Sequence, residues 1–197
     1  MTAPRESSAP AFAPCSVGHI LQRMVGVWHD RLATYRLDGS PLSDDARGGQ
    51  PGASPWENLV YFDFDGASYI QTNVTFRGRP LHTRTFTGTL VEGVLQYDPL
   101  GPGDPGHVGV SGGPDTLILA PHAIKDAWKR FAEPDVVRLD GDRRTRHTFL
   151  YRDGVLLRTL HVAGTRLTTD TSKRHSLDPR GPDGPVHEAR SVTHVFS

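Results

Sequence analysis

The stretch GVWHDRLATYRLDG, residues 26–39, decides how this chain is read. It follows a short apolar segment with Ile20, Leu21, Met24 and Val25, and opens an extended run from Val27 to Leu37 that ends at Asp38-Gly39. Gly26 lets the backbone turn tightly into that run. The indole of Trp28 is large enough to plug one end of a closed sheet. Upstream, residues 15–25 fit a short amphipathic helix with Ile20, Leu21 and Met24 on one side.

Further along, short strands alternate with turns. Asn58–Phe64 and Ala67–Arg77 flank Asp65-Gly66, a dipeptide suited to the positive φ angles of a tight hairpin. Leu81–Val91 and Val94–Tyr97 flank Glu92-Gly93, and Thr145–Arg152 and Val155–Ala163 flank Asp153-Gly154 in the clearest hairpin of the chain. Thr116–Ala120, Asp135–Leu139, Arg166–Thr171 and His187–Phe196 read as further strands. Residues 40–56, 99–114 and 173–186 read as Gly- and Pro-rich loops. HAIKDAWKRFA, 122–132, reads as a helix with Ile124, Trp128 and Phe131 at helical spacing. About ten strands joined as hairpins predict an all-β, up-and-down antiparallel barrel with a short N-terminal helix, which has no exposed edges because it closes. A two-sheet sandwich is the alternative.

Composition sets the outer bounds. The 197 residues suffice for one domain with a real core. Twenty-two basic and 22 acidic residues give a formal charge of zero, which argues against a general nucleic-acid binder. No apolar run approaches the ~20 residues of a membrane span. Met1–Pro14 is rich in Ala, Pro and Ser and lacks a signal-peptide pattern. Residues 1–14 are therefore expected to be a disordered tail, 15–197 a single barrel domain, and the location cytoplasmic. Cys15 stands alone and is expected to be incidental rather than a nucleophile. No nucleotide-binding, zinc-protease or Cys-x-x-Cys pattern occurs, and the ten histidines lack ligand spacing.

RRTRHTFLYRDGVLLRTLHV, 143–162, together with 26–39, resembles a bacterial calycin-like (lipocalin-like) family of uncharacterised function, related in fold to the phycobiliprotein lyases. The shared features are Gly-x-Trp, a first strand ending in Asp-Gly, and an arginine-rich lead into a Tyr-x-x-Gly hairpin. The resemblance implies a barrel with a cavity and transfers no reaction. The bilin lyases of the wider group bind a linear tetrapyrrole. Nitrobindin, another calycin relative, binds haem through a histidine near its C-terminus, and His194 lies in a comparable place. In lipocalin-like barrels a late arginine packs over the opening tryptophan; Arg190 is the expected partner of Trp28.

Strand alternation proposes the site. A two-residue turn at Asp153-Gly154 would set Tyr151 opposite Leu156, Phe149 opposite Arg158 and His147 opposite Leu160. Such a face mixes large apolar groups with three polar heads, as a ligand pocket does, and is expected to face inward. The competing reading turns it outward with its Arg and His solvated. Arg158, Tyr151 and His147 are the candidate catalytic groups, polarising a carbonyl or moving a proton. Trp28, Phe149, Leu156, Leu160, Tyr69, His82, Arg84, Glu188, Arg190 and His194 are the candidate ligand-lining residues. Arg143, Arg144 and Arg146, beside Asp140 and Asp142, read as a solvated turn.

These residues suggest a cofactor-independent cyclase or isomerase acting on a small, largely apolar polyketide- or terpenoid-like metabolite, with no metal. A non-catalytic carrier of a fatty acid, bilin or haem is the alternative, and a solid barrel used for protein contact the third. The partner expected is a small hydrophobic or amphiphilic ligand, with no nucleic acid or membrane, in a monomer or homodimer.

Overall fold

β1 (Gly26–Tyr35) pairs on one side with β2 (Trp56–Phe64) and on the other with β11 (Val155–Thr168), so the sheet closes on itself. This computed structural model describes residues 11–42, 55–77, 81–101, 104, 106–122, 131–173 and 177. Between β2 and β11 the ring runs through β3 (Ser68–Arg77), β4 (His82–Val91), β5 (Val94–Tyr97), β6 (His107–Gly113), β7 (Thr116–Pro121), β9 (Asp135–Asp140) and β10 (Arg143–Arg152), all antiparallel. The result is a closed ten-stranded barrel. A two-residue strand, β8 (Phe131–Ala132), adds to the end of β10.

Local chemistry explains the turns. Glu92-Gly93 and Asp153-Gly154 both hold two consecutive positive φ angles (49° and 82°, 52° and 76°), as a tight two-residue hairpin requires. At Asp65 the turn lengthens, and its carboxylate accepts from the backbone N–H of Ala67 (2.9 Å) and Ser68 (2.7 Å). Gly26 enters β1 at φ 131°, where a Cβ would stand 2.3 Å from the carbonyl oxygen of Thr168. Only glycine allows β1 to start where β11 ends.

Helix α1 (Val17–Met24) is capped by Ser16, whose hydroxyl accepts from His19 N–H at 3.2 Å. Its apolar stripe of Val17, Ile20, Leu21 and Met24 seals one end of the barrel against Trp28, Phe62, Leu95, Leu117 and Leu139. Arg23 ties it to the β6–β7 turn through Asp115 (2.5 Å). A second, smaller cluster of Val27, Leu59, Tyr61 and Val74 packs with Phe76 and Leu177.

Several boundaries depart from expectation. β6 is a strand inside the expected loop 99–114. β11 runs unbroken through the expected gap at 164–165, so it closes the barrel onto β1. Phe131–Ala132, the end of the expected helix 122–132, is strand; residues 123–130 lie outside the described residues, as does the expected strand His187–Phe196. Phe12, placed in the expected tail, has its ring 5.7 Å from that of Phe64.

Candidate functional site

The β10–β11 hairpin carries the site, and a bulge decides what it presents. Tyr151 faces Leu156 as expected, but the register then shifts between Leu150 and Tyr151. Beyond the shift Leu150 faces Arg158, Phe149 faces Thr159, Thr148 faces Leu160 and His147 faces His161. One extra residue on β11, Leu157, moves that strand's alternation by one place relative to β10. The expected pairings of Phe149 with Arg158 and His147 with Leu160 are therefore replaced. Arg144, Arg146, Thr148 and Leu150 of β10 join Arg158, Leu160 and Val162 of β11 inside the barrel. His147 is exposed on the outer wall, its ring stacked 4.5 Å from that of His161. Phe149 shares that wall, half-buried.

The arginines expected to be solvated divide between two environments. Arg143 is exposed. Arg144 is only 5% exposed and grips Asp30 with two donors, Nε to Oδ1 at 3.2 Å and Nη2 to Oδ2. Its guanidinium lies over the rings of Phe62 (4.5 Å) and Trp28 (5.4 Å). Gly164, opposite Arg144 on β11, makes the room: a Cβ there would stand 2.4 Å from Asp30 Oδ1 and 2.7 Å from Arg144 Cγ. Arg166 lies over Trp28 at 4.7 Å and donates to the carbonyl of Arg23 at 2.5 Å. Trp28, fully buried, donates from Nε1 to the Met24 carbonyl at 2.8 Å. Arg144 and Arg166 thus lie over Trp28 in the way expected of Arg190. Arg190, Glu188 and His194 lie outside the described residues, and so does the haem reading that His194 carried.

Above this pair the interior turns polar. Tyr69 donates to Gln71 Oε1 at 3.0 Å, and Gln71 Nε2 donates to Asn73 Oδ1 at 2.9 Å, a chain climbing the inner face of β3. Across it, β4 sets Phe86 opposite Gln71, Arg84 opposite Asn73 and His82 opposite Thr75. Tyr69, Arg84 and His82, all expected to line the cavity, thus lie on one inner face. Arg84 lies over Phe86 at 4.7 Å, and His82 is exposed. Tyr69 and Tyr97 meet edge to face at 5.5 Å, and burial pushes the Tyr97 hydroxyl up to about 12.

The charges there are Arg84, Arg146 and Arg158 against Glu133 and Asp135. Thr148 donates to Asp135 Oδ1, and Arg146 Nε stands 4.0 Å from the same oxygen, too far for a hydrogen bond. Arg146 Nε is buried with no hydrogen-bond partner among the described residues. Burial pulls the Arg146 guanidinium down, but Asp135, then Asp30 and Glu133, outweigh it, so it stays cationic with its pKa raised. Burial pushes the Glu133 carboxyl up, Asp135 adds to that, and Arg84, Arg146 and Arg158 oppose it. Burial lowers His107 and Arg84. Sequence reasoning missed Arg144, Arg146, Glu133 and Asp135. The signal for the arginines was their spacing on one strand face with Leu150.

Arg146, Arg158, Glu133, Asp135, Asn73 and Arg84 keep part of their surface exposed although they belong to the interior. Solvent therefore reaches this half of the barrel from the end opposite α1, the mouth. Tyr151, half-buried, pairs with Ala132 there, beside Leu156. Among the described residues, no three His, Cys, Asp or Glu side chains are placed to hold a metal ion, and no helix is long and apolar enough to cross a membrane.

No family model and no curated protein matches the chain. Solved structures do. A protein of unknown function from the DUF3598 family of Nostoc punctiforme PCC 73102 superposes with a TM-score of 0.56 at 14% identity, over 75% of this chain and 49% of that one. The chain thus spans about half the length of that protein. An S-type phycobiliprotein lyase from Guillardia theta superposes with a TM-score of 0.54 at 11% identity, over 79% of this chain and 94% of that one. The fold is a calycin-like barrel related to that of the phycobiliprotein lyases.

Proposed function

We propose that the barrel binds a small amphiphilic ligand carrying a carboxylate, inserted through the mouth with its acid group on Arg146. The observation that carries this reading is the buried, unpaired Nε of a guanidinium that stays charged. That Nε lacks a hydrogen-bond acceptor, Asp135 standing 4.0 Å away, and a ligand carboxylate would meet the planar fork with two parallel bonds. Arg84 and Arg158 add positive charge around the same space. Glu133 and Asp135 offer acceptors for ligand N–H groups, and Leu150, Leu160 and Phe86 supply apolar wall. A linear tetrapyrrole has all three features: apolar edges, pyrrole N–H donors and carboxylates. The phycobiliprotein lyase fold supports testing it first.

The test is a visible-absorption titration with biliverdin, with a long-chain fatty acid as the second probe. Binding is expected in the micromolar range, weakened at least about tenfold by Arg146→Met. Absence of binding by both probes, or equal affinity in the variant, overturns the reading.

A catalytic role, as a cofactor-free cyclase or isomerase, has one observation in its favour. Glu133 is a carboxyl whose pKa is raised by burial beside Arg84, Arg146 and Arg158, suited to giving or taking a proton. Of the expected catalytic groups, Arg158 belongs to that interior and His147 to the outer wall. Turnover of a bound ligand that stops in Glu133→Gln supports catalysis; ligand recovered unchanged supports carriage.

A further inference from the structure

The outer wall across the barrel from β4 carries side chains that the ligand site leaves unused. Registered pairs run side by side along it: Val110 with Ile118, Ile118 with Val136, Val136 with His147, and His147 with His161. Val110, Ile118 and Val136 are 42%, 37% and 38% exposed, and the imidazoles of His147 and His161 stack at 4.5 Å. No carboxylate, lysine or arginine interrupts the row. Toward α1 it is flanked by Arg138 and Arg31; toward the mouth, by Phe149, Tyr35 and Leu157.

We infer that this row is the contact face of a weak homodimer, two copies meeting along it about a two-fold axis parallel to the row. A second copy is the occupant because the surface complements itself. With the axis along the row, the arginine flank of each copy lies on the aromatic and aliphatic flank of the other, where arginine stems and ring faces suit one another. With the axis along the strands instead, Arg31 and Arg138 would meet like charges, which is unfavourable. Because the wall is convex, contact centres on β7, β9, β10, β11 and β1. At ~4.8 Å between strands and ~6.8 Å between rows, that is about 500 Å² of flat wall per copy. A standard interface takes ~800 Å² per partner, so the dimer belongs to the small, transient class.

On the axis His147 and His161 of both copies come together. Among the described residues, the other charged or titratable groups facing them are Arg31 and Tyr35 of β1 and Arg138 of β9, none of them a carboxylate. Burial and the neighbouring His147 already disfavour the charged form of His161, so the contact needs its neutral imidazole, and acid breaks it.

Sedimentation velocity from about 10 µM to about 1 mM at about pH 7.5 tests the inference. A monomer–dimer equilibrium is expected, dissociating at about pH 5.5. Val136→Arg and Ile118→Arg, both outward-facing, should each weaken it at least about tenfold with the melting curve unchanged. Thr89→Arg on the far wall should leave it intact. A monomer across the whole range, or a dimer that survives Val136→Arg, overturns the proposal.

Discussion

The two ends of this barrel are built from the same strands to opposite ends. At the α1 end Trp28, Ile20, Leu21, Leu95 and Leu117 are fully buried, and Arg144 and Asp30 satisfy each other. Arg166, whose buried Nε also lacks a hydrogen-bond acceptor among the described residues, donates through Nη2 to the Arg23 carbonyl there. At the mouth, inward side chains keep solvent contact, and Arg146 stands 4.0 Å from Asp135 with its Nε unbonded. The difference teaches where a small barrel puts stability and where it leaves interaction capacity. Guanidinium groups at the dry end are anchored by hydrogen bonds and braced over a ring; at the mouth Arg146 faces space that solvent reaches.

Substitutions should separate the two ends by size of effect. Trp28→Ala removes the plug and the ring under Arg144 and Arg166. A loss of about 4 kcal/mol is expected by urea denaturation. Asp30→Asn leaves Arg144 buried without its counter-ion, for about 3 kcal/mol. Gly164→Ala forces a methyl against that pair, for about 2 kcal/mol. If any of the three proves neutral, the dry end is not the stabilising one. At the mouth Arg146→Met removes one partner of an ion pair 4.0 Å long with no hydrogen bond at Nε, so it should cost less than Asp30→Asn while weakening an anionic ligand.

Glu133 sharpens the contrast through pH. Its folded pKa lies above the ordinary 4.5, so the folded chain keeps a proton the unfolded chain has released. Stability therefore falls as pH rises from about 4.5 through the raised value. Glu133→Gln should remove that fall, so the variant gains on the native chain across the same window. Parallel urea midpoints against pH would show that the mouth does not hold this carboxyl protonated.

Much of the barrel was legible in the sequence because its signals are local. The Glu92-Gly93 and Asp153-Gly154 turns, the amphipathic α1 and the Gly26-x-Trp28 start each announce themselves within a few residues. β6 was hidden because Gly109, on its inner face, leaves no apolar residue to mark the alternation. The glycine is needed there, since a Cβ would approach Leu119 to 3.0 Å and Leu95 to 3.1 Å. The site was harder to read. Turn logic places Tyr151 correctly but does not carry past a bulge that no residue type advertises. Arg144 looked like a surface residue because its partner Asp30 is distant in sequence and its room is made by an absent side chain at Gly164.

The shift between Leu150 and Tyr151 also marks where the chain tolerates a change of length. The extra residue, Leu157, lies on β11 and stands exposed. Deleting it would leave Leu150 opposite Arg158 and Tyr151 opposite Leu156 in an unbroken ladder, with Arg146 and Thr148 still inward and His147 and Phe149 still outward. A barrel of this kind has a spare position at its hairpin tip: one lost codon there would straighten the strand and leave the lining as it is.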